Sequence, residues 1–247
     1  MELSDAERKI KSEAEAFARR NKGQIAKELT CKKAFPSEIS PVSVFMAGSP
    51  GAGKTEASIE LIEKFTTLET GVLRIDPDEL RERFPGYEGD NSYLFQGAVS
   101  IIVNRIHDLA IKNGQSFVLD GTLSSYGQAH KNIARSLNRH RFILIQYVYQ
   151  KPLLAWEFVE ARELEEGRRI PLERFVDQYF AAREVVNQLK VDFGRQIQID
   201  LLLKNSDNTT RSYKANIDRI DHYLDEKYTP ASLLDTLKVQ FPAKLDL

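Results

Sequence analysis

Val42-Ser-Val-Phe-Met-Ala47 runs directly into Gly48-Ser-Pro-Gly-Ala-Gly-Lys54-Thr55, and the reading of this junction decides the fold. The first segment is an apolar run of strand character, and the second fills every fixed position of the pattern G-x-x-x-x-G-K-[ST]. Glycines at Gly48, Gly51 and Gly53 let the backbone curl so that consecutive N–H groups point inward, where phosphate oxygens would sit. The start of the following helix adds its partial positive charge. Ser49, Pro50 and Ala52 complete the cradle. Lys54 is placed to reach β- and γ-phosphates, and Thr55 to set its hydroxyl on magnesium. An ordinary Gly-rich turn is the plainer alternative; a strand before and a helix after favour a user of ATP or GTP.

Working outward, strand and helix patterns alternate as in α/β proteins. Residues from Ser4 to about Leu29 read as a helix, opened by the capping pattern Ser4-Asp-Ala-Glu7 and carrying Ile10, Ala14, Phe17, Ala18, Ile25 and Leu29 near one face. Two prolines, Pro36 and Pro41, mark a connector into the first strand. After the glycine-rich loop come a helix to about Thr66 and a short strand, Val72 to Ile75. Asp76-Pro77-Asp78 then opens a helix with Asp76 as its cap. A long helix from about Ser92 to Lys112 closes at Asn113-Gly114. Further strands are expected at Ser116 to Asp120, Phe142 to Tyr149 and Gln198 to Leu203. Helices are expected at about Tyr126 to Leu137, Pro152 to Glu165 and Pro171 to Leu189. A turn at Asn205-Ser-Asp-Asn208 and two short helical patterns complete the chain. The expected organisation is an N-terminal helical extension with connector (1–40), a P-loop core (41–204), and a C-terminal turn and helical extension packed on the core (205–247).

The bulk numbers narrow the function classes. With 247 residues and 42% hydrophobic content, the chain can bury one substantial core. A formal net charge of −1 argues against a broad polyanion-binding surface, so no nucleic acid is expected. The single Cys31 cannot form an internal disulfide, the charged N-terminus has no apolar signal core, and no apolar run reaches membrane-spanning length. A cytoplasmic location without membrane association is the expectation. His107, His130, His140 and His222 lack metal-ligand spacing, which argues against a histidine or cysteine metal site.

In open parallel sheets ligands sit beyond the carboxyl ends of the strands, so Asp76, Asp78 and Asp120 carry weight. Phosphoryl transfer needs magnesium, cations that spread charge, and a carboxylate that accepts the attacking hydroxyl's proton. Asp78 and Asp120 can divide that carboxylate work; helix capping at Asp76 and Asp78, and a plain strand end at Asp120, are the alternatives. Arg162, Arg168 and Arg169 lie in an acidic helix end that reads equally as a salt-bridged surface or as a lid with arginine clamps.

Taken in order, Gly48 to Thr55, Ile75-Asp-Pro-Asp78, Asp120-Gly-Thr122, and Arg162 with Arg168-Arg-Ile-Pro171 resemble the zeta-toxin family of P-loop kinases, over roughly Val42 to Leu203. The resemblance implies a nucleotide-kinase-like parallel sheet flanked by helices. It also implies ATP- or GTP-dependent phosphorylation of the 3′-hydroxyl of a UDP-activated amino sugar, typically UDP-N-acetylglucosamine, which starves cell-wall synthesis. On that resemblance Asp78 is the general base, Lys54, Arg162 and Arg168 bind phosphates, Thr55 holds Mg2+ and Thr122 contacts the acceptor; their place at the strand ends makes Asp76 and Asp120 further acceptor candidates and Asp120 a candidate partner of Thr55 on Mg2+. An antitoxin partner, or the N-terminal helix acting in cis, would regulate it. Two departures bear on the acceptor: Asp120-Gly-Thr-Leu-Ser124 replaces the family's Glu-Gly-Thr-Leu-Arg, and Asn104 stands where some members carry a sugar-contacting glutamate. Other nucleotide sugars, NAD, a polynucleotide end, or nucleotide-gated binding without transfer are the alternative readings.

Overall fold

The computed structural model describes residues 3–65, 71–167, 170–207 and 209–242. Helix α1 (Asp5–Leu29) opens with the expected reciprocal cap, in which Ser4 Oγ accepts from the Glu7 backbone N–H and Glu7 accepts from that of Ser4. Strand β1 (Val42–Ala47) leads through the glycine-rich loop into α2 (Lys54–Phe65). Then follow β2 (Leu73–Ile75), the short α3 (Pro77–Arg81), α4 (Ser92–Asn113), β3 (Phe117–Leu119), α5 (Tyr126–Leu137) and β4 (Phe142–Tyr149). Next come α6 (Pro152–Glu166), α7 (Leu172–Phe193), β5 (Gln198–Lys204), β6 (Thr210–Lys214) and α8 (Pro230–Gln240). Gly114 takes the left-handed conformation that closes α4.

The strands form one sheet in the order β2-β3-β1-β4-β5-β6, with β1 to β5 parallel and β6 antiparallel to β5. Successive strand residues point to opposite faces, and both faces are covered, which is why β1 and β4 read as nearly unbroken apolar runs. Phe45, Ile75, Phe117, Ile145 and Leu201 enter the larger core with residues of α1, α4, α5 and α7. Val44, Met46, Val118 and Val148 enter a smaller core under α2, with Ala57. Helix α1 lies along α4, burying Ala14, Ala18, Ile25 and Ala26, while Phe17 packs on Phe84 at 5.4 Å between ring centroids. No helix among the described residues is long and apolar enough to cross a membrane.

Two expectations need correction. The segment after the turn at Asn205 does not go straight to helices: Thr210–Lys214 returns as β6, and only then come a 3-10 turn at Ile220–Tyr223 and α8. Its side chains are exposed or half-exposed throughout, so no apolar alternation marks it; pairing with β5 makes it a strand. Helix α7 runs one turn beyond Leu189, to Phe193, because no breaker precedes Gly194.

Candidate active site

The sheet register brings the chemistry-bearing residues to one edge. Phe45, Leu119 and Ile75 stand level across three adjacent strands, so the residues that follow β1, β3 and β2 emerge side by side. The Asp120 backbone N–H donates to Ile75 O at 2.9 Å, and that of Gly48 to Thr122 O at 3.2 Å, which ties the three strand ends together.

The glycine-rich loop is closed against the backbone behind it. At Gly48 (φ +132°) a Cβ would lie 2.2 Å from Val148 O, and at Gly51 (φ +69°) 2.0 Å from Ala155 O. No other residue fits either position without moving the chain. Lys54 Nζ donates to the loop's own Ser49 carbonyl at 2.6 Å, so the cation sits over the cradle. Ser49 and Ala52 are buried beneath the loop surface.

Beyond β2, Asp76 caps α3, its Oδ1 accepting from the Asp78 N–H at 2.7 Å with Pro77 in the first turn, as the sequence suggested. Burial pushes Asp76 up to about 6; the neighbouring Asp78 and Asp120 charges add to this and Arg74 opposes it. Asp78 is partly open to the cleft and ion-paired with Arg81. Asp120 is 5% exposed, and its Oδ2 lies 2.8 Å from Arg74 Nη2 and 3.0 Å from Ser58 Oγ. Arg74 also reaches Asp76 and Glu79, and its Nε donates to Ser58 Oγ at 3.0 Å.

These parts line one cleft of about 580 Å³, a size suited to a nucleotide-class ligand. Of the residues singled out above, Pro50, Gly51, Gly53, Lys54 and Thr55 line it from the loop. Asp76, Asp78, Asp120 and Thr122 line it from the other strand ends, and Arg162 from α6. Gly48, Ser49 and Ala52 are buried parts of the loop and do not line the cleft. Arg168 and Arg169 lie outside the described residues. Leu123 adopts φ +52°, a conformation uncommon for a branched residue, and aims the polar pair Thr122 and Ser124, whose hydroxyls are 2.9 Å apart. Among the described residues there is no His, Cys, Asp and Glu cluster able to hold a metal by itself.

Several participants were not singled out from the sequence. Arg74 is the central one, and its signal was a lone cation inside the short apolar strand Val72 to Ile75. Ser58 lies one turn after Thr55 on α2. Gln128, Asn132 and Arg135 recur at helical spacing along one face of α5 and carry polar contacts to Asn104 and His107.

The family model described as Zeta toxin matches residues 25–218. Among solved structures, the chain is similar to one from the PezAT chromosomal toxin-antitoxin system of the human pathogen Streptococcus pneumoniae. Identity is 16%, 97% of this chain and 96% of that chain are covered, and the TM-score is 0.60. It is also similar to AvrRxo1-ORF1:AvrRxo1-ORF2 with sulphate ions, at 17% identity, 87% and 71% coverage and a TM-score of 0.53. The same complex with ATP gives 16%, 88%, 71% and 0.52. At such identities these likenesses speak to the fold. No curated protein matches the chain.

Proposed function

The chain belongs to the zeta-toxin family of P-loop kinases, and from that premise we propose that it transfers the γ-phosphate of ATP, or of GTP, to an alcohol of a nucleotide-activated sugar. The acceptor we infer is the 3′-hydroxyl of a UDP-activated amino sugar such as UDP-N-acetylglucosamine. The observation that carries the reading is the convergence of Lys54, Thr55, Asp78 and Arg162 on one cleft, which unites a phosphate cradle with a carboxylate suited to a base.

In this reading the loop N–H groups and Lys54 hold the β- and γ-phosphates. Asp78, oriented by its pair with Arg81, accepts the proton of the acceptor hydroxyl as its oxygen bonds to the γ-phosphorus and the bond to the bridging oxygen of the departing nucleoside diphosphate breaks. Arg162 spreads the charge that builds on the transferred group, a role shared with Arg168 by resemblance. Asp76 and Thr122 face the acceptor.

Thr55 and Asp120 fit a magnesium ion, since both offer hard oxygen donors and a phosphate-bound Mg2+ needs few protein ligands. Both described contacts to Asp120, from Arg74 and Ser58, fall on Oδ2. When bound, the ion neutralises phosphate charge. Family membership also supports a toxic role through arrested cell-wall synthesis and an antitoxin protein as partner.

The test is incubation of the purified chain with ATP, magnesium and a panel of nucleotide sugars headed by UDP-N-acetylglucosamine, with products read by mass spectrometry. A nucleotide sugar carrying one added phosphoryl group is the expected product. A protein that binds ATP and leaves the whole panel unmodified contradicts the reading.

A further inference from the structure

A second cavity, of about 280 Å³, opens where the last turns of α4 and α5 run side by side. It shares no lining residue with the cleft and lies roughly 12 Å further along α4, the helical rise from Asn104 to Lys112. Lys112, Arg135 and Arg139 line it against a single carboxylate, Asp108, while Asn138 and the apolar Ile111 complete the wall. Three cations against one carboxylate leave a local charge of +2, on a chain whose formal net charge is −1.

Arg135 is the most committed of the three. Its Nη1 pairs with Asp108, and its Nη2 donates to His107 Nδ1 at 2.8 Å and to Asn132 Oδ1 at 2.6 Å. From Asn132 a relay of amides runs to the cleft, Gln128 Nε2 donating to Asn132 Oδ1 at 2.8 Å and to Asn104 Oδ1 at 2.9 Å. His107 is buried, and its ring is held down to about 3 by burial first and then by the Arg135 and Arg141 charges. It stays neutral, so Nδ1 remains an acceptor that locks the inward edge of the guanidinium. Nη1, with a second hydrogen, is left to serve the cavity.

Lys112 and Arg139 are uncommitted. Both are exposed, and among the described residues neither side chain has an ionic or hydrogen-bonded partner. Cations are common in the last turn of a helix, where they offset its partial negative charge. Here backbone N–H groups already do much of that work: Gly114 donates to the Ala110 and Ile111 carbonyls, Asn138 to those of Ala134 and Ser136, and His140 to that of Leu137. Gathering the two charges beside Arg135 therefore costs mutual repulsion that no contact of Lys112 or Arg139 among the described residues offsets.

We propose that this cavity is an oxyanion site for a phosphate dianion, held by Lys112 and Arg139, with the Asn138 amide as a neutral donor and Arg135 Nη1 shared between the anion and Asp108. The charge of a phosphate monoester at neutral pH matches the local +2. A cavity wider than one phosphate, with Ile111 on its wall, leaves room for the organic part of an ester; free phosphate presents the same chemistry to the cations. Asp108 competes with the anion for Arg135.

Calorimetric titration of the full chain with glycerol 3-phosphate and with inorganic phosphate tests this, at fixed ionic strength with glycerol and sodium chloride as blanks. The glycine-rich loop takes phosphates of its own, so the titration is run on Lys54→Met. Both phosphates are expected to bind this variant while the blanks give no signal. Adding Lys112→Ser and Arg139→Ser should weaken binding by about tenfold or more, the scale of lost charge-assisted contacts. The same two exposed changes in the otherwise wild-type chain should leave ATP affinity unaltered. Asp108→Asn removes the competitor and should tighten binding by about threefold. Tighter binding of glycerol 3-phosphate identifies an ester as the ligand and equal affinities a free phosphate; either result upholds the site. No binding to Lys54→Met, a signal matched by sodium chloride, affinity indifferent to Lys112→Ser with Arg139→Ser, or weaker binding by Asp108→Asn would overturn it.

Discussion

Arg74 Nη2 lies 2.8 Å from Asp120 Oδ2, so a cation carried by the edge strand β2 pins the carboxylate that follows β3. The same nitrogen is 2.5 Å from Asp76 Oδ2, which gathers two buried carboxylates around one guanidinium that is itself only 15% exposed. Removal of the cation leaves both acids uncompensated in a poorly solvated place. Arg74→Met is therefore expected to lower unfolding stability by about 3 kcal/mol or more at neutral pH, as for other buried pairs broken on one side. Urea unfolding followed by circular dichroism reads this directly; a loss below about 1 kcal/mol would show that the cluster is solvated.

The glycine-rich loop admits a sharper substitution. Gly51→Ala would place a Cβ 2.0 Å from Ala155 O at a φ of +69°, so either the loop or the start of α6 must shift. Strain of this kind costs about 1–3 kcal/mol before the clash is counted. ATP affinity measured by calorimetry should fall by roughly tenfold or more. Unchanged affinity would mean that the observed loop shape is not the binding shape.

Asp76 supplies a pH dependence. Its carboxyl is raised from 3.8 to about 6, chiefly by burial. A group raised on folding stabilises the folded state while it is protonated in both states, below about pH 4, and that contribution is lost as pH rises through about 6. Asp76→Asn, which keeps an oxygen for the Asp78 N–H, removes the dependence. Measured by urea unfolding across this window, wild-type stability should fall relative to the variant as pH rises, by about 3 kcal/mol at most. Parallel curves would refute the assignment.

Helix α1 separates two roles, brace and gate. Ala18 is fully buried against the core shared with α4, so Ala18→Leu overpacks that seam and should cost about 1–3 kcal/mol. A brace predicts a lower denaturation midpoint with unchanged ATP affinity and transfer per folded molecule. A rise in transfer rate would identify α1 as a gate over the cleft.

The parts legible in the sequence were those governed by local chemistry. The glycine-rich junction, the Asp76-Pro77 helix start and the Gly114 stop each follow from short-range geometry, and the ends of α5 and β4 agree with their patterns to the residue. What stayed hidden depends on partners distant in sequence. Strand β6 exists because β5 offers it an edge, since its own residues are polar and exposed. Arg74 gains its meaning only when the register sets Asp76 and Asp120 beside it. The Asn104, Gln128, Asn132 and Arg135 relay links two helices, so neither α4 nor α5 shows it alone. Ser58 carries no signal of its own within α2, and the fold alone sets it between the Thr55 carbonyl and Asp120.

The central claim is that Asp78 takes the acceptor's proton beside a phosphate cradle that works without it. Wild type and Asp78→Asn should be compared side by side for ATP affinity by calorimetry and for single-turnover transfer to the nucleotide sugar the wild type accepts. The account predicts equal ATP affinity and a transfer rate lower by about a hundredfold or more in the variant. Transfer at the wild-type rate by Asp78→Asn would contradict it.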